Sequence, residues 1–100
     1  MWTFLSNHAH VLVCLRQDPD LRARDLADRV GITERAIRRI LHDLEVDGYI
    51  EIEKRGRRNH YQVCVGAPMR HPVEAGVDVG SVLDVIVGQN DQENTTAIAG

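Results

Sequence analysis

Apolar residues recur at helical spacing from the start of the chain: Phe4, Leu5, His8, Val11, Leu12 and Leu15 share one face at about 100° per residue. This predicts a first helix over roughly residues 3 to 17. Trp2, Ala9 and Val13 flank the stripe on one side and Cys14 on the other, so the helix is apolar around more of its girth than one core requires. Asp18-Pro19-Asp20 ends it, because proline lacks the amide and disfavours helical geometry in the residue before it. Leu21 and Arg22 fit a very short strand. Arg24 to Val30 then places Leu26, Ala27 and Val30 on one side of a two-turn helix. Gly31 supplies a left-handed cap, and Thr33 is a good N-cap for a third helix from about Glu34 to Val46, with Ile37, Ile40, Leu41 and Leu44 inward.

At Tyr49 the period changes from 3.6 to 2. Ile50 and Ile52 alternate with Glu51 and Glu53, and Tyr61, Val63 and Val65 alternate with His60, Gln62 and Cys64, so a β-hairpin is expected with its tip at Lys54 to Asn59. Gly66-Ala67-Pro68 closes this unit. Residues 69–88 read as a linker and a short C-terminal helix, secure only over about 81–87 because Gly76, Gly80 and the valines have low helix propensity. The polar stretch 89–100 is expected to be a disordered tail. The fold class is therefore α+β, mainly α: a three-helix core plus hairpin wing over 1–68, then a short C-terminal helix. No internal repeat interrupts this order.

With 100 residues, 43% hydrophobic and 27% charged, the chain has material for one modest core, not a multidomain enzyme. No run reaches eighteen apolar residues and the N-terminus lacks signal-peptide character, so a soluble cytoplasmic protein with no membrane association is expected. Charge changes the picture more. The formal net charge is −3, yet residues 1–72 hold all 12 basic residues against 10 acidic ones, and residues 73–100 hold 5 acidic residues and no Lys or Arg. Between Lys54 and Arg70 there is no acid at all.

Helix, short helix, glycine turn, longer helix and charged hairpin is the order of a winged helix-turn-helix. In that geometry the third helix enters the DNA major groove, which is wide enough for an α-helix and displays a distinct pattern for each base pair. Arg35, Arg38, Arg39 and His42 cluster opposite its inward set, and its acids apart from Glu34 lie in the second half. At the hairpin tip, Arg55, Arg57 and Arg58, with Asn59 beside them, gather positive charge that does not stabilise a turn and suits phosphates or the minor groove. Double-stranded DNA is the expected partner, and sequence-specific regulation of transcription the expected role.

The run GITERAIRRILHDLEVDGYIEIEKRGRRNHYQV, Gly31 to Val63, resembles the MarR-type winged helix-turn-helix regulators of bacteria. FLSNHAHVLVCL before it and MRHP with VGSVLDVI after it resemble a small single-domain group of these, extending the likeness over about residues 2–88. The resemblance implies base or phosphate contact at Thr33, Arg35, Arg38 and Arg39 and wing contact at Arg55, Arg57 and Arg58. It also implies a homodimer on a palindromic site. The over-apolar first helix and the valine-rich C-terminal segment supply surfaces for such a dimer. Full-length MarR-type proteins have longer terminal helices, which build their dimer and effector pocket.

Two other readings stay open. Five histidines and two cysteines, Cys14 and Cys64, raise a metal-sensing or redox-sensing repressor, although their spacing suits neither a closed zinc site nor a disulfide scaffold. A winged helix can also serve as a protein-interaction module, which an apolar outer face on the third helix would favour and three arginines do not. No cofactor and no catalytic residue is indicated: there is no nucleophile elbow, Walker loop or HExxH, and the chain does not read as an enzyme. The sequence specifies no effector, operator or target gene.

Overall fold

The computed structural model describes residues 2–99, with side chains over residues 2–89. The chain forms two compact units, Met1–Cys64 and Val65–Gly100. The first holds α1 (Asn7–Gln17), α2 (Ala23–Val30), α3 (Glu34–Val46), β1 (Ile50–Arg55) and β2 (Arg58–Val63), and the second holds a 3-10 turn (Pro72–Glu74) and α4 (Val79–Ala99).

In the first unit α1 begins four residues later than its apolar spacing predicts. Ser6 stops the helix extending backwards, its Oγ accepting from the Ala9 amide at 3.3 Å. Phe4 is thereby left outside the helix at 94% exposure, with Trp2 at 78%, the two rings meeting edge-on at 5.4 Å. Val11, Leu12 and Leu15 carry the buried face of α1 as expected. The helix ends where Asp18 Oδ1 accepts from the Asp20 amide at 3.0 Å, a local side-chain turn that competes with another helical residue.

Residues 21–22 form no strand. Leu21 is buried, but the chain is already turning into α2, whose start is closed by Asp25 Oδ2 accepting from the Arg22 amide at 3.0 Å and from Arg22 Nε at 3.3 Å. The α2–α3 turn follows its expected chemistry. Gly31 lies at φ 83°, and its amide and that of Ile32 both donate to the Ala27 carbonyl, a conformation that costs a side-chain-bearing residue about 1–2 kcal/mol. Thr33 Oγ1 then accepts from the Ala36 amide at 3.1 Å. Ile37, Ile40, Leu41 and Leu44 of α3 are all buried, joined by Leu26 and Ala27 of α2, Tyr49 and Ile50 at the entry to β1, and Tyr61 of β2.

The hairpin pairs antiparallel from Ile50↔Val63 to Arg55↔Arg58, so its strands run further than the alternating residues indicate. Only Gly56 and Arg57 form the loop, with Gly56 at φ 63° in the first position, where a two-residue hairpin loop favours glycine. Val65 falls beyond the strand, in the second unit.

That second unit replaces the expected linker with an ordered loop. An isolated bridge joins Pro68 to Asp78, the Met69 amide donates to the Val77 carbonyl at 3.0 Å, and Val73 is in the 3-10 turn. The helix start at Val79 has a local cause that the glycines obscure: Asp78 Oδ1 accepts from the Ser81 amide at 2.8 Å and from Ser81 Oγ at 2.6 Å. Gly80 is buried because its amide donates to the Val65 carbonyl at 2.8 Å, an approach that leaves no room for a side chain. The helix runs Val79–Ala99, beyond the expected 81–87, and residues 89–99 contain no Gly or Pro to stop it. The expectation of a disordered tail over 89–100 falls, from residue 90, on residues outside the described side chains. No helix among the described residues is long and apolar enough to cross a membrane.

Candidate nucleic-acid interface

The inward set of α3 fixes the helix by its rotation, and the 3.6-residue period then decides which of its residues face outward. Arg35, Arg38, Arg39 and His42 are all exposed on it. They do not form one patch. Arg38 reaches back along its helix to Glu34, with Nη2 3.3 Å from Oε2, and the two line an open cleft of about 320 Å³ between α3, the start of α2 and the wing. Arg35 and Arg39 line a separate concavity of about 780 Å³ bordered by the start of α1. The α3 helix is thus a ridge between two hollows, and His42 lines neither. Thr33 is exposed, but its oxygen is engaged as the helix cap, which leaves its hydroxyl hydrogen and one lone pair for an outward contact.

The far border of the second concavity is a polar tie from α1. His8 Nε2 donates to Asp43 Oδ2 at 2.9 Å, and this hydrogen bond holds the Asp43 carboxyl below its ordinary range. His8 sits on the stripe expected to face the core, yet it is half-exposed and fastens α1 to α3 through a carboxylate.

Of the wing residues, Arg55, Arg57, Arg58 and Asn59 are exposed, and each has a different local role. Arg55 Nη2 lies 3.2 Å from Glu53 Oε2, which lowers the Glu53 carboxyl and raises the guanidinium. Arg58 donates to the Asp20 carbonyl, and Asn59 Nδ2 donates to the Tyr61 hydroxyl at 3.3 Å. The Arg57 side chain, at the loop, has no hydrogen bond or ion pair among the described residues. The wing is braced on the α1–α2 turn: His60 Nδ1 donates to Asp20 Oδ1 at 2.8 Å and the Tyr61 amide to the Pro19 carbonyl at 2.8 Å. The bond from His60 is the main cause of a lowered Asp20 carboxyl, with Arg55 and Arg58 adding attraction.

Arg22 and Arg24 also line the wing cleft, although nothing in their local pattern marks them for it. They precede and open a helix whose expected role is to support α3. The available signal is a pair of arginines on either side of a helix start, which is common on surfaces and points nowhere by itself.

Among the described residues no three His, Cys, Asp or Glu side chains stand together as a metal site. The histidines are dispersed: His10 Nδ1 donates to Asn7 Oδ1 at 3.3 Å, and His71 Nδ1 accepts from the Val73 amide at 3.1 Å. Burial pushes both the Cys14 and the Cys64 thiol up, against the direction that makes a reactive thiolate.

Residues 7–51 match the family model described as winged helix-turn-helix DNA-binding. Among curated proteins none matches the chain significantly. Solved structures do: MepR, a transcription regulator of the Staphylococcus aureus multidrug efflux pump MepA, superposes with a TM-score of 0.55 at 19% identity over 92% of this chain and 64% of its own. The zinc-dependent MarR family transcriptional regulator AdcR, in its Zn(II)-bound state, does so with a TM-score of 0.52 at 16% identity over 99% of this chain and 61% of its own. The chain spans less than two thirds of either structure, and at these identities the likeness is one of fold. The family match spans α1 to the start of β1, an arginine-faced α3 and a braced basic wing complete the winged helix-turn-helix architecture around it, and the chain shares its fold with MepR and AdcR.

Proposed function

We propose that the chain is a sequence-specific transcriptional regulator of a bacterial cytoplasm that binds double-stranded DNA as a homodimer. The observation that carries the reading is the outer surface of α3, where Arg35, Arg38, Arg39 and His42 are all exposed beside an arginine-tipped wing. Arginine is suited to bidentate contact with guanine and phosphate, so the N-terminal half of α3 reads bases while Arg55, Arg57, Arg58 and Asn59 hold the backbone or enter the minor groove. Thr33 acts chiefly by fixing the start of that helix.

Dimerisation is supported by apolar residues that neither unit buries. Trp2 and Phe4 are exposed in the first, and Val73 and Val85, at 86% and 73%, in the second. Exposed apolar side chains in such numbers on a small protein suit a self-complementary interface, and a two-fold dimer would offer two recognition helices to successive major grooves. The same reading gives the protein no catalytic role.

Selection of bound duplexes from a random pool at moderate salt tests the proposal. Enrichment of a palindrome with half-sites about one helical turn apart supports a dimeric regulator. An unsymmetric half-site supports a monomeric one, and no enrichment over a salt-sensitive background removes sequence specificity.

A further inference from the structure

Two pairs of opposite charges on α3 share the same four-residue spacing and meet different fates. Residues four apart lie on one face of a helix, where a carboxylate and a guanidinium attract. Glu34 and Arg38 close into an ion pair at 3.3 Å. Arg39 and Asp43 do not, and the Arg39 guanidinium has no hydrogen bond or ion pair among the described residues. The order of charges, with the acid C-terminal to the base, weakens this second attraction without removing it.

A residue of another helix accounts for the rest of the difference. His8 of α1 donates from Nε2 to Asp43 Oδ2 at 2.9 Å. His8, Arg39 and Asp43 line one concavity, in which Asp43 is the one acid. The bond from His8 is the first cause of the lowered Asp43 carboxyl, ahead of the attraction of Arg39 and His42. The carboxylate nearest to Arg39 along its own helix face is therefore engaged by α1.

We propose that His8 is a positioning residue for base reading: by holding the Asp43 carboxylate it keeps that group from capturing Arg39, whose guanidinium stays available to a base edge in the major groove. The inference rests on the DNA-binding reading of α3 and adds to it a residue of α1 that acts through Asp43. A guanidinium already paired within its own helix must give up that pair before it makes a bidentate contact with guanine, and the loss is subtracted from binding. An exposed ion pair is weak, so the effect on an equilibrium is about two- to fivefold.

His8→Ala and Asp43→Ala break the same hydrogen bond, but only His8→Ala leaves a free carboxylate beside Arg39. The full chain is compared as wild type, as each single variant and as the double variant. The quantity read is the affinity for a duplex selected from a random pool divided by that for a scrambled duplex, which cancels the general gain from deleting an acid. His8→Ala is expected to lower this ratio about two- to fivefold, Asp43→Ala to leave it unchanged, and the double variant to match Asp43→Ala. Equal losses in both single variants, persisting in the double one, overturn the proposal in favour of a simple fastening of α1 to α3. An unchanged ratio in His8→Ala also overturns it. Thermal midpoints measured in parallel show whether the two single variants are equally well folded.

The Arg39 Nε–Hε resonance, followed by NMR without DNA, gives a second readout. It is expected to shift and to exchange more slowly with water in His8→Ala, and to lose both changes in the double variant. An unaltered resonance in His8→Ala overturns the proposal even where DNA is bound. A response as expected in a protein that selects no duplex supports the hold on Asp43, and it is then the DNA reading that fails.

Discussion

His60 and Asp20, forty residues apart, meet at 2.8 Å and join the second wing strand to the turn between the first two helices. A two-stranded hairpin by itself is marginal in water, so an external tie has a large effect on where its tip points. His60→Ala is expected to leave the three-helix core folded, lower stability by about 1 kcal/mol, and speed amide exchange along β2. DNA affinity should fall for every sequence alike. Hydrogen exchange with a parallel DNA titration checks this, and unchanged exchange in β2 would count against the brace.

Stability should have an acid limb with a defined origin. The Asp20 and Asp43 carboxyls are lowered from an ordinary 3.8 mainly by hydrogen bonds from His60 and His8. A carboxyl lowered in the folded state contributes stability that is complete above its unfolded value and is lost as pH falls through the folded one. Urea midpoints are expected to hold above about pH 5 and drop below about pH 4, with a shallower drop in an Asp20→Asn, Asp43→Asn double variant.

Thr33 separates a capping role from a contact role. Thr33→Ala removes the acceptor for the Ala36 amide and should cost about 1 kcal/mol, whereas Thr33→Ser keeps the oxygen and should restore stability. If capping dominates, DNA affinity follows stability across the two variants. Loss of affinity in a stably folded Thr33→Ser protein would assign the methyl group a contact with DNA.

The two arginine groups should fail differently. Substituting Arg38 and Arg39 by Ala is expected to flatten the base preference recovered from a random pool, with residual salt-dependent binding. Substituting Arg57 and Arg58 should weaken binding to all duplexes while the recovered motif stays the same. The same outcome in both variants would argue against a division between reading helix and positioning wing.

Gly80→Ala is expected to destabilise the second unit despite the greater helix propensity of alanine. An added Cβ would come within 2.7 Å of both the Val65 Cβ and the Val65 carbonyl oxygen. Overpacking against backbone costs about 1–3 kcal/mol, more than the roughly 0.5–1 kcal/mol gained from propensity. Thermal unfolding measures the balance, and a rise in midpoint would show that α4 can move away from Val65.

The boundaries of α3, the inward placement of Ile37, Ile40, Leu41 and Leu44, the Gly31 turn and the existence of a hairpin at Tyr49 are all legible in the chain itself. Each depends on interactions within about four residues or on a repeat whose period defines its own faces, so local order carries the information. The same locality explains why periodicity misplaces the start of α1. Apolar spacing runs through Phe4 and Leu5, and the Ser6 cap, a single competing hydrogen bond, decides against it. What only the tertiary structure decided is which side chains share a space. Arg24 and Arg57 line one cleft, His8 joins Asp43, Asp20 holds the wing, and Gly80 is needed because Val65 lies against it. Those relations depend on how elements pack. Periodicity fixes the direction a side chain takes from its own helix or strand, but not what the rest of the chain places opposite it.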